Sequence, residues 1–253
     1  MNNIKLIIAA HKKYEMPSDE VYLPIHVGKE GKDSLGYQED NVGENISSKN
    51  FSYCELTGLY WAYKNLEYDV LGLVHYRRYF KGKLKVVING KKRKILSKEE
   101  IENILKEYDI ILPSKRHYYI ETNESQYLHA HHKEGLEECE KAINKLYPDY
   151  LEAWKHMLKR RSGHRFNMFI MNKENADKFC KWVFDVLEEV EKNVDISTWD
   201  KSEQRIFGYL AERMMDVYVE RNNLKVKEQK YFFAEKQNWF KKIFNFLKRK
   251  FKK

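Results

Sequence analysis

The 253-residue chain has no apolar run near the roughly 18 residues that a membrane-crossing helix needs, so no spanning segment is expected. Only four prolines and 11 glycines are present, too few for a collagen-like or low-complexity protein. The three cysteines, Cys54, Cys139 and Cys180, are far apart and include no C-x-x-C pair. That spacing argues against a disulfide framework and fits small buried apolar residues in a reducing compartment. The apolar run after Met1 stops at His11-Lys12-Lys13, too short for a signal peptide, and the expected location is the cytoplasm. Acidic residues are missing from one stretch. Lys236 to Lys253 holds eight basic residues and no acid, so with it set aside the chain's net charge of +9 falls to +1. The body is therefore almost neutral and lacks the basic face that nucleic-acid binding requires, so no nucleic acid is expected as a partner.

The chain is 42% hydrophobic and 14% aromatic, with 18 Tyr and 13 Phe, enough for a sizeable core. Ile4 to Ala10 reads as a strand buried on both faces, and Val21 to Val27 as a second strand ending at Gly28. Gly28 to Asn50 is rich in Gly, Asp, Asn and Ser, a long loop of the kind that usually carries function. Ser52 to Glu55 matches an S-x-x-E capping box and opens an expected helix from Glu55 to Leu66. Val70 to His75 is an apolar strand, and Asn89-Gly90 between Leu84 to Ile88 and Lys92 to Leu96 predicts a two-residue hairpin. Ser97 to Glu100 is a second capping box, for a helix to about Tyr108, and Ile110 to Leu112 is a strand closed by Pro113. Helices are then expected over Lys133 to Leu146, Tyr150 to Arg160, Glu174 to Lys192 and Lys201 to Asn222, with a strand at Asn167 to Met171. This order is α/β with a helical second half.

Ligands of open α/β sheets sit beyond the carboxyl ends of the strands. Four ends here carry polar residues: Ala10-His11, Gly28, His75-Tyr76-Arg77-Arg78 and Pro113 to Lys115. The two adjacent arginines suit bidentate phosphate binding, and Tyr76 and Tyr79 could stack on a base or sugar; pairing with surface carboxylates is the competing reading for Arg77 and Arg78. His129, His131 and His132 have H-x-H spacing, which admits a zinc site, but the absence of acidic or Cys partners favours a surface or substrate-binding loop. In the last helix of the body Gln204, Gly208, Glu212 and Asp216 share one stripe, and Arg205, Tyr209 and Arg213 the next. Glu212 among Phe207, Leu210, Met214 and Met215 is a candidate general base, with an internal ion pair as the alternative. From Trp239 onward aromatic and basic residues alternate at helical spacing, the pattern of an amphipathic helix lying on an anionic membrane surface.

The stretches Glu55-Leu56-Thr57-Gly58-Leu59-Tyr60-Trp61 and His75-Tyr76-Arg77-Arg78-Tyr79 resemble a family once listed as a domain of unknown function, number forty-four twenty-two, found in capsular and exopolysaccharide gene clusters. The resemblance extends to about residue 230 through Ala10-His11, Asp40-Asn41, Asn45-Ile46-Ser47, Ala130-His131, Asn167-Met168 and Gly208 to Arg213. It implies a GT-A-like, Rossmann-type, mostly parallel sheet flanked by helices over residues 1–230, followed by a membrane-surface tail over 231–253. It also implies a glycosyltransferase, specifically a hexosyltransferase, taking a nucleotide sugar, with UDP as the expected nucleotide. The sugar, galactose or galactofuranose, would go to a lipid-linked glycan on the inner face of the cell membrane. Under it, Ala10, His11, Asp40, Asn45 and Asn50 would hold the nucleotide, and Arg77 and Arg78 the leaving diphosphate. Glu55, Asn65 and His131 would contribute to donor or acceptor sugar binding, and His75, Tyr76, Asn167, Gly208 and Arg213 to binding the nucleotide sugar, with Glu212 as base and Arg213 orienting it. Many GT-A enzymes hold Mn2+ or Mg2+ on an Asp-x-Asp, but that place is taken here by His75-Tyr76-Arg77-Arg78, which leaves the metal open. The rival readings are a metal-dependent hydrolase built on His129 to His132 and a non-catalytic membrane-surface adaptor.

Overall fold

The computed structural model describes residues 3–235. The strands are β1 Ile4–Ala10, β2 Tyr22–His26, β3 Gln38–Glu39, β4 Val70–His75, β5 Arg78–Ile88, β6 Lys91–Ile95, β7 Ile110–Pro113, β8 Arg116–His117, β9 Ser162–Gly163, β10 Phe169–Asn172, β11 Val226–Gln229 and β12 Tyr231–Phe233. The α-helices are α1 Asn50–Tyr53, α2 Leu56–Asn65, α3 Lys98–Leu105, α4 Asn123–Leu128, α5 Glu134–Leu146, α6 Leu151–Lys159, α7 Lys173–Asn193 and α8 Ile206–Arg221. The sheet runs β11-β7-β10-β4-β1-β2-β3. Along this path the pairs are parallel except at β10, which lies antiparallel between β4 and β7, and off the path β5 pairs antiparallel with β4, β6 and β12. It is the mostly parallel, helix-flanked α/β fold that the element order predicts.

Alternation along β1 divides the core. Ile7 and Ala9 face a cluster with Leu71, Leu73, Trp154, Trp182 and Phe207, on the side of the helices. Leu6, Ile8 and Ala10 face a second cluster with Val74, Tyr79, Phe80, Ile88 and Ile95, on the side of β5, β6 and α3. Each leucine, isoleucine or valine among these contributes about 1.5–3 kcal/mol on burial. Gly72 lets β4 lie tight between its neighbours, because a Cβ there would stand 2.4 Å from Leu6 Cδ2 and 2.8 Å from the Phe169 carbonyl oxygen.

Local signals held where no tertiary contact opposed them. Ser97 and Glu100 form the expected capping box. Asn89 and Gly90 take φ of 49° and 69°, as a two-residue turn with both central residues left-handed requires. The box at Ser52 did not form. Ser52 lies inside α1 and its hydroxyl donates to the Lys49 carbonyl, while Cys54, at φ 55°, breaks the helix before Glu55. The break is a packing effect: α8 passes so close that a Cβ on Gly208 would meet Cys54 Sγ at 3.3 Å. Helix α8 itself starts at Ile206, after a 3-10 turn at Glu203–Arg205, and not at Lys201. Residues 231–233, assigned to the tail on sequence, form β12 against β5, so the sheet runs past the boundary expected at 230. The expected amphipathic helix from Trp239 lies outside the described residues. Among those residues no helix is long and apolar enough to cross a membrane.

Candidate active site

The parallel strands β1 and β4 end side by side, with Ala9 paired to His75. Beyond their carboxyl ends, α1, α4 and α8 enclose a cleft of about 710 Å³, within the usual range of small-molecule sites. Six arginines line it, Arg77, Arg78, Arg116, Arg165, Arg205 and Arg213, against two carboxylates, Glu55 and Glu212. Of the six only Arg165 has a carboxylate oxygen within 4 Å among the described residues, Asp216 Oδ2 at 3.3 Å. Arg78 and Arg213 each also bury an Nε–H that meets no acceptor among those residues. Such a donor set is unfavourable when empty and complementary to an anion.

Aromatic rings replace carboxylates as neighbours of these cations. The Arg78 guanidinium lies 4.5 Å from the Phe166 ring and 5.4 Å from Phe233, and Arg213 lies 4.7 Å from Tyr127. Burial, and then Arg77, make the Arg78 charge harder to hold. Burial, with Arg165 next, brings Arg213 down to about 10. Arg213 donates to the Tyr209 carbonyl at 2.8 Å and to Gln126 Oε1 at 2.8 Å. It therefore does not orient the Glu212 carboxylate, the role expected for it; the backbone N–H of Phe166 does, donating to Glu212 Oε1 at 3.1 Å.

His75 is neutral. Burial first and Arg78 second push it down to about 3, and its Nε2 lies 2.5 Å from the Phe166 carbonyl oxygen. His11 is lowered by burial and then Arg77, and its ring meets Tyr76 edge-on at 5.3 Å. Tyr76 borders the cleft but is buried, with Tyr14 against it as well. Tyr79 is wholly buried in the core and cannot stack on a ligand. Cys54 stays a thiol, pushed up to about 11 chiefly by burial.

Asn50 and Glu55 also reach the cleft. Asn167 stands behind it, its amide donating to Glu55 Oε1 at 2.8 Å and to the Gly208 carbonyl at 3.1 Å. Asp40, Asn45 and Asn65 do not line it. Asp40 is fully buried and accepts from the backbone N–H of Gly28 and Lys29 and the hydroxyls of Ser47 and Thr57, which pins the long loop. Asn65 bonds both the N–H and carbonyl of Glu44, and Asn45 bonds Gly43 and Ser47, so both shape that loop from outside the cleft. Ala10 is buried at the end of β1, and Gly208 packs on Cys54.

The three neighbouring histidines separate. His129 Nδ1 lies 2.6 Å from Glu121, His131 stacks on Tyr209 at 4.1 Å beside Glu203, and His132 stacks on Trp199 at 4.2 Å. They do not form one ligand set, which removes the basis of the hydrolase reading. Among the described residues no three His, Cys, Asp or Glu side chains come together as a metal-ligand group. The two carboxylates of the cleft each accept a hydrogen bond and stand among arginines, a donor set that does not fit Mn2+ or Mg2+.

Sequence reasoning passed over Arg165 and its support. Asp216 is buried, with Oδ1 2.6 Å from His164 Nδ1 and Oδ2 accepting from Arg165. Arg165 also donates to Tyr118 Oη, Asn123 Oδ1 and the His164 carbonyl. The available signal was the polar run Gly163-His164-Arg165 just before an apolar strand.

Residues 5–223 match the family described as a domain of unknown function (DUF4422). The chain belongs to that family. It is also similar to a solved structure titled as the apo form of the bifunctional glycosyltransferase WbbM, with 27% identity and a TM-score of 0.81. The likeness covers 93% of this chain and 46% of that one, so this DUF4422 chain spans about half the length of its structural relative. No curated protein sequence matches it.

Proposed function

We propose that the chain is a glycosyltransferase that moves a hexose from a nucleoside diphosphate, UDP in the first instance, to a lipid-linked glycan acceptor in bacterial surface-polysaccharide assembly. The observation that carries this reading is the set of five guanidiniums in one cleft beyond the carboxyl ends of β1 and β4 that have no ion pair among the described residues. Likeness to a glycosyltransferase over 93% of the chain supports it. In the reaction the bond from the anomeric carbon to the diphosphate oxygen breaks, and a bond to an acceptor hydroxyl forms. Negative charge grows on the departing diphosphate, where Arg77 and Arg78 stabilise it from fixed positions. For an inverting displacement, Glu212 takes the proton of the acceptor hydroxyl. In this reading the arginines take over the charge neutralisation that a divalent ion would otherwise supply, and no step is assigned to a metal. The basic tail beyond the described residues is assigned to the inner membrane surface.

The test is calorimetric titration with UDP and a panel of UDP-hexoses, each with and without manganese, on wild type, Arg77→Ala and Arg78→Ala. Expected is metal-independent UDP binding that each variant weakens about 10- to 100-fold, the loss of one charged hydrogen-bonding group. Absence of binding by any nucleotide, or binding indifferent to both substitutions, overturns the reading.

A further inference from the structure

The β5–β6 hairpin carries lysines at 81, 83, 85, 91, 92 and 94 together with Arg93, and no acid stands between Lys81 and Lys98. All six lysines are exposed. Among the described residues none of these seven cations has a carboxylate oxygen within 4 Å. The nearby acids serve the backbone: Glu15 accepts from the Gly90 N–H and Glu100 from the Lys83 N–H. The register sets Lys85 directly opposite Lys94, an arrangement that weakens strand pairing. The fold thus tolerates a charge density that its own stability does not require.

An open concavity of about 920 Å³ runs along this hairpin, where Lys85, Lys92 and Lys94 meet Val87 and Phe232. Val87 is 44% exposed, and Arg93 lies 5.6 Å from the Phe232 ring. Strand β12 joins this face to the cleft, because its next residue, Phe233, packs on Arg78. The chain beyond 235, with its eight basic residues, continues from the end of that same strand.

We propose that the β5–β6 hairpin with β12 is a docking face for an anionic phospholipid surface, acting beside the tail. Cations spread over both strands around an exposed valine match a broad anionic plane. A polynucleotide would call for open aromatic platforms, whereas Phe232 and Phe233 are half-buried under Arg93 and Arg78. The assignment does not depend on the transferase chemistry, since none of the seven cations between Lys81 and Lys94 lines the arginine cleft.

The experiment is co-sedimentation of the full chain with vesicles of phosphatidylcholine alone or mixed 3:1 with phosphatidylglycerol, comparing wild type with the Lys85→Gln/Lys92→Gln/Lys94→Gln variant. A basic residue near an anionic surface contributes about fivefold in partitioning, so the triple variant should lose about 100-fold on the anionic vesicles at low salt. Neither protein should bind phosphatidylcholine alone. UDP titration of the same preparations should be identical for the two, which separates loss of docking from loss of fold. Anionic-vesicle binding within twofold of wild type in the variant overturns the proposal. So does equal binding of wild type to both vesicle types, or charge-dependent binding to single-stranded polynucleotide without binding to vesicles. Failure of wild type to bind UDP would defeat the transferase reading and leave the vesicle result standing.

Discussion

Asp216 offers a way to disturb the cleft without touching its surface. Its carboxylate is 3% exposed and accepts from the His164 backbone N–H at 3.1 Å and from Arg165 at 3.3 Å, with His164 Nδ1 at 2.6 Å. Asp216→Ala removes the one carboxylate that, among the described residues, lies within ion-pair reach of the buried Arg165 guanidinium, which typically costs about 3–5 kcal/mol. Asp216→Asn keeps the volume and one acceptor oxygen and loses the charge, so its cost should be nearer 1.5–3 kcal/mol, that of a charged hydrogen bond. In a chain of this size, at about 2–4 °C per kcal/mol, these become roughly 6–20 °C and 3–12 °C in Tm. Urea unfolding followed by tryptophan fluorescence and by far-UV circular dichroism gives both energies and tests whether unfolding is two-state. Both variants should also bind UDP more weakly, because Arg165 would no longer be held at the cleft wall. If Asp216→Ala stays within 1 kcal/mol of wild type, or Asn proves worse than Ala, the charge argument fails.

Three further outcomes follow from the same geometry. Glu212→Gln retains an acceptor for the Phe166 N–H, so it should fold normally and lower kcat by about 100-fold or more with little change in KM, as loss of a general base does. His75 resists protonation in the folded state down to about 3, whereas the unfolded chain takes up that proton near 6.5. Its contribution is therefore fully present above pH 6.5 and is lost as pH falls toward 3, by up to about 1.4 kcal/mol per unit. Urea titrations at pH 7 and pH 5 should show a smaller drop for His75→Gln than for wild type; equal drops would refute the assignment. Gly72→Ala would press a methyl on the Phe169 carbonyl and should cost about 1–3 kcal/mol by overpacking, read as a lower urea midpoint at unchanged slope.

Most of the fold was legible because it rests on local signals. The apolar alternation of Ile4 to Ala10, the Asn89-Gly90 turn and the Ser97 cap each specify their element from a few neighbouring residues. The Ser52 box carried the same local signal and failed, because α8 packs against Cys54 across more than 150 positions of chain. The cleft divides in the same way. Arg77 and Arg78 could be found as a pair after a strand, and Arg205, Tyr209 and Arg213 as one stripe, since spacing alone puts each group together. Arg165 could not, because its meaning comes from Asp216, 51 residues away on another element. Asp40 misled for the converse reason: a carboxylate in a long polar loop reads as a ligand until its four hydrogen-bond donors are seen.

The loop before β10 shows why the cleft residues serve two purposes at once. Phe166 and Asn167 stand side by side at φ 77° and 54°, a conformation that costs non-glycine residues about 1–3 kcal/mol each. Glu212 accepts the Phe166 N–H, and His75 holds the Phe166 carbonyl. The Asn167 side chain is tied to Glu55 and to the Gly208 carbonyl. Three of these four anchors, Glu212, His75 and Glu55, also line the cleft. The turn brings the Phe166 ring to 4.5 Å from the Arg78 guanidinium, where an aromatic face supports the cation without neutralising it. A carboxylate in that place would stabilise the empty protein and compete with an incoming diphosphate. The strained loop therefore leaves Arg78 positioned but available, and its cost is offset by groups that the proposed reaction itself requires.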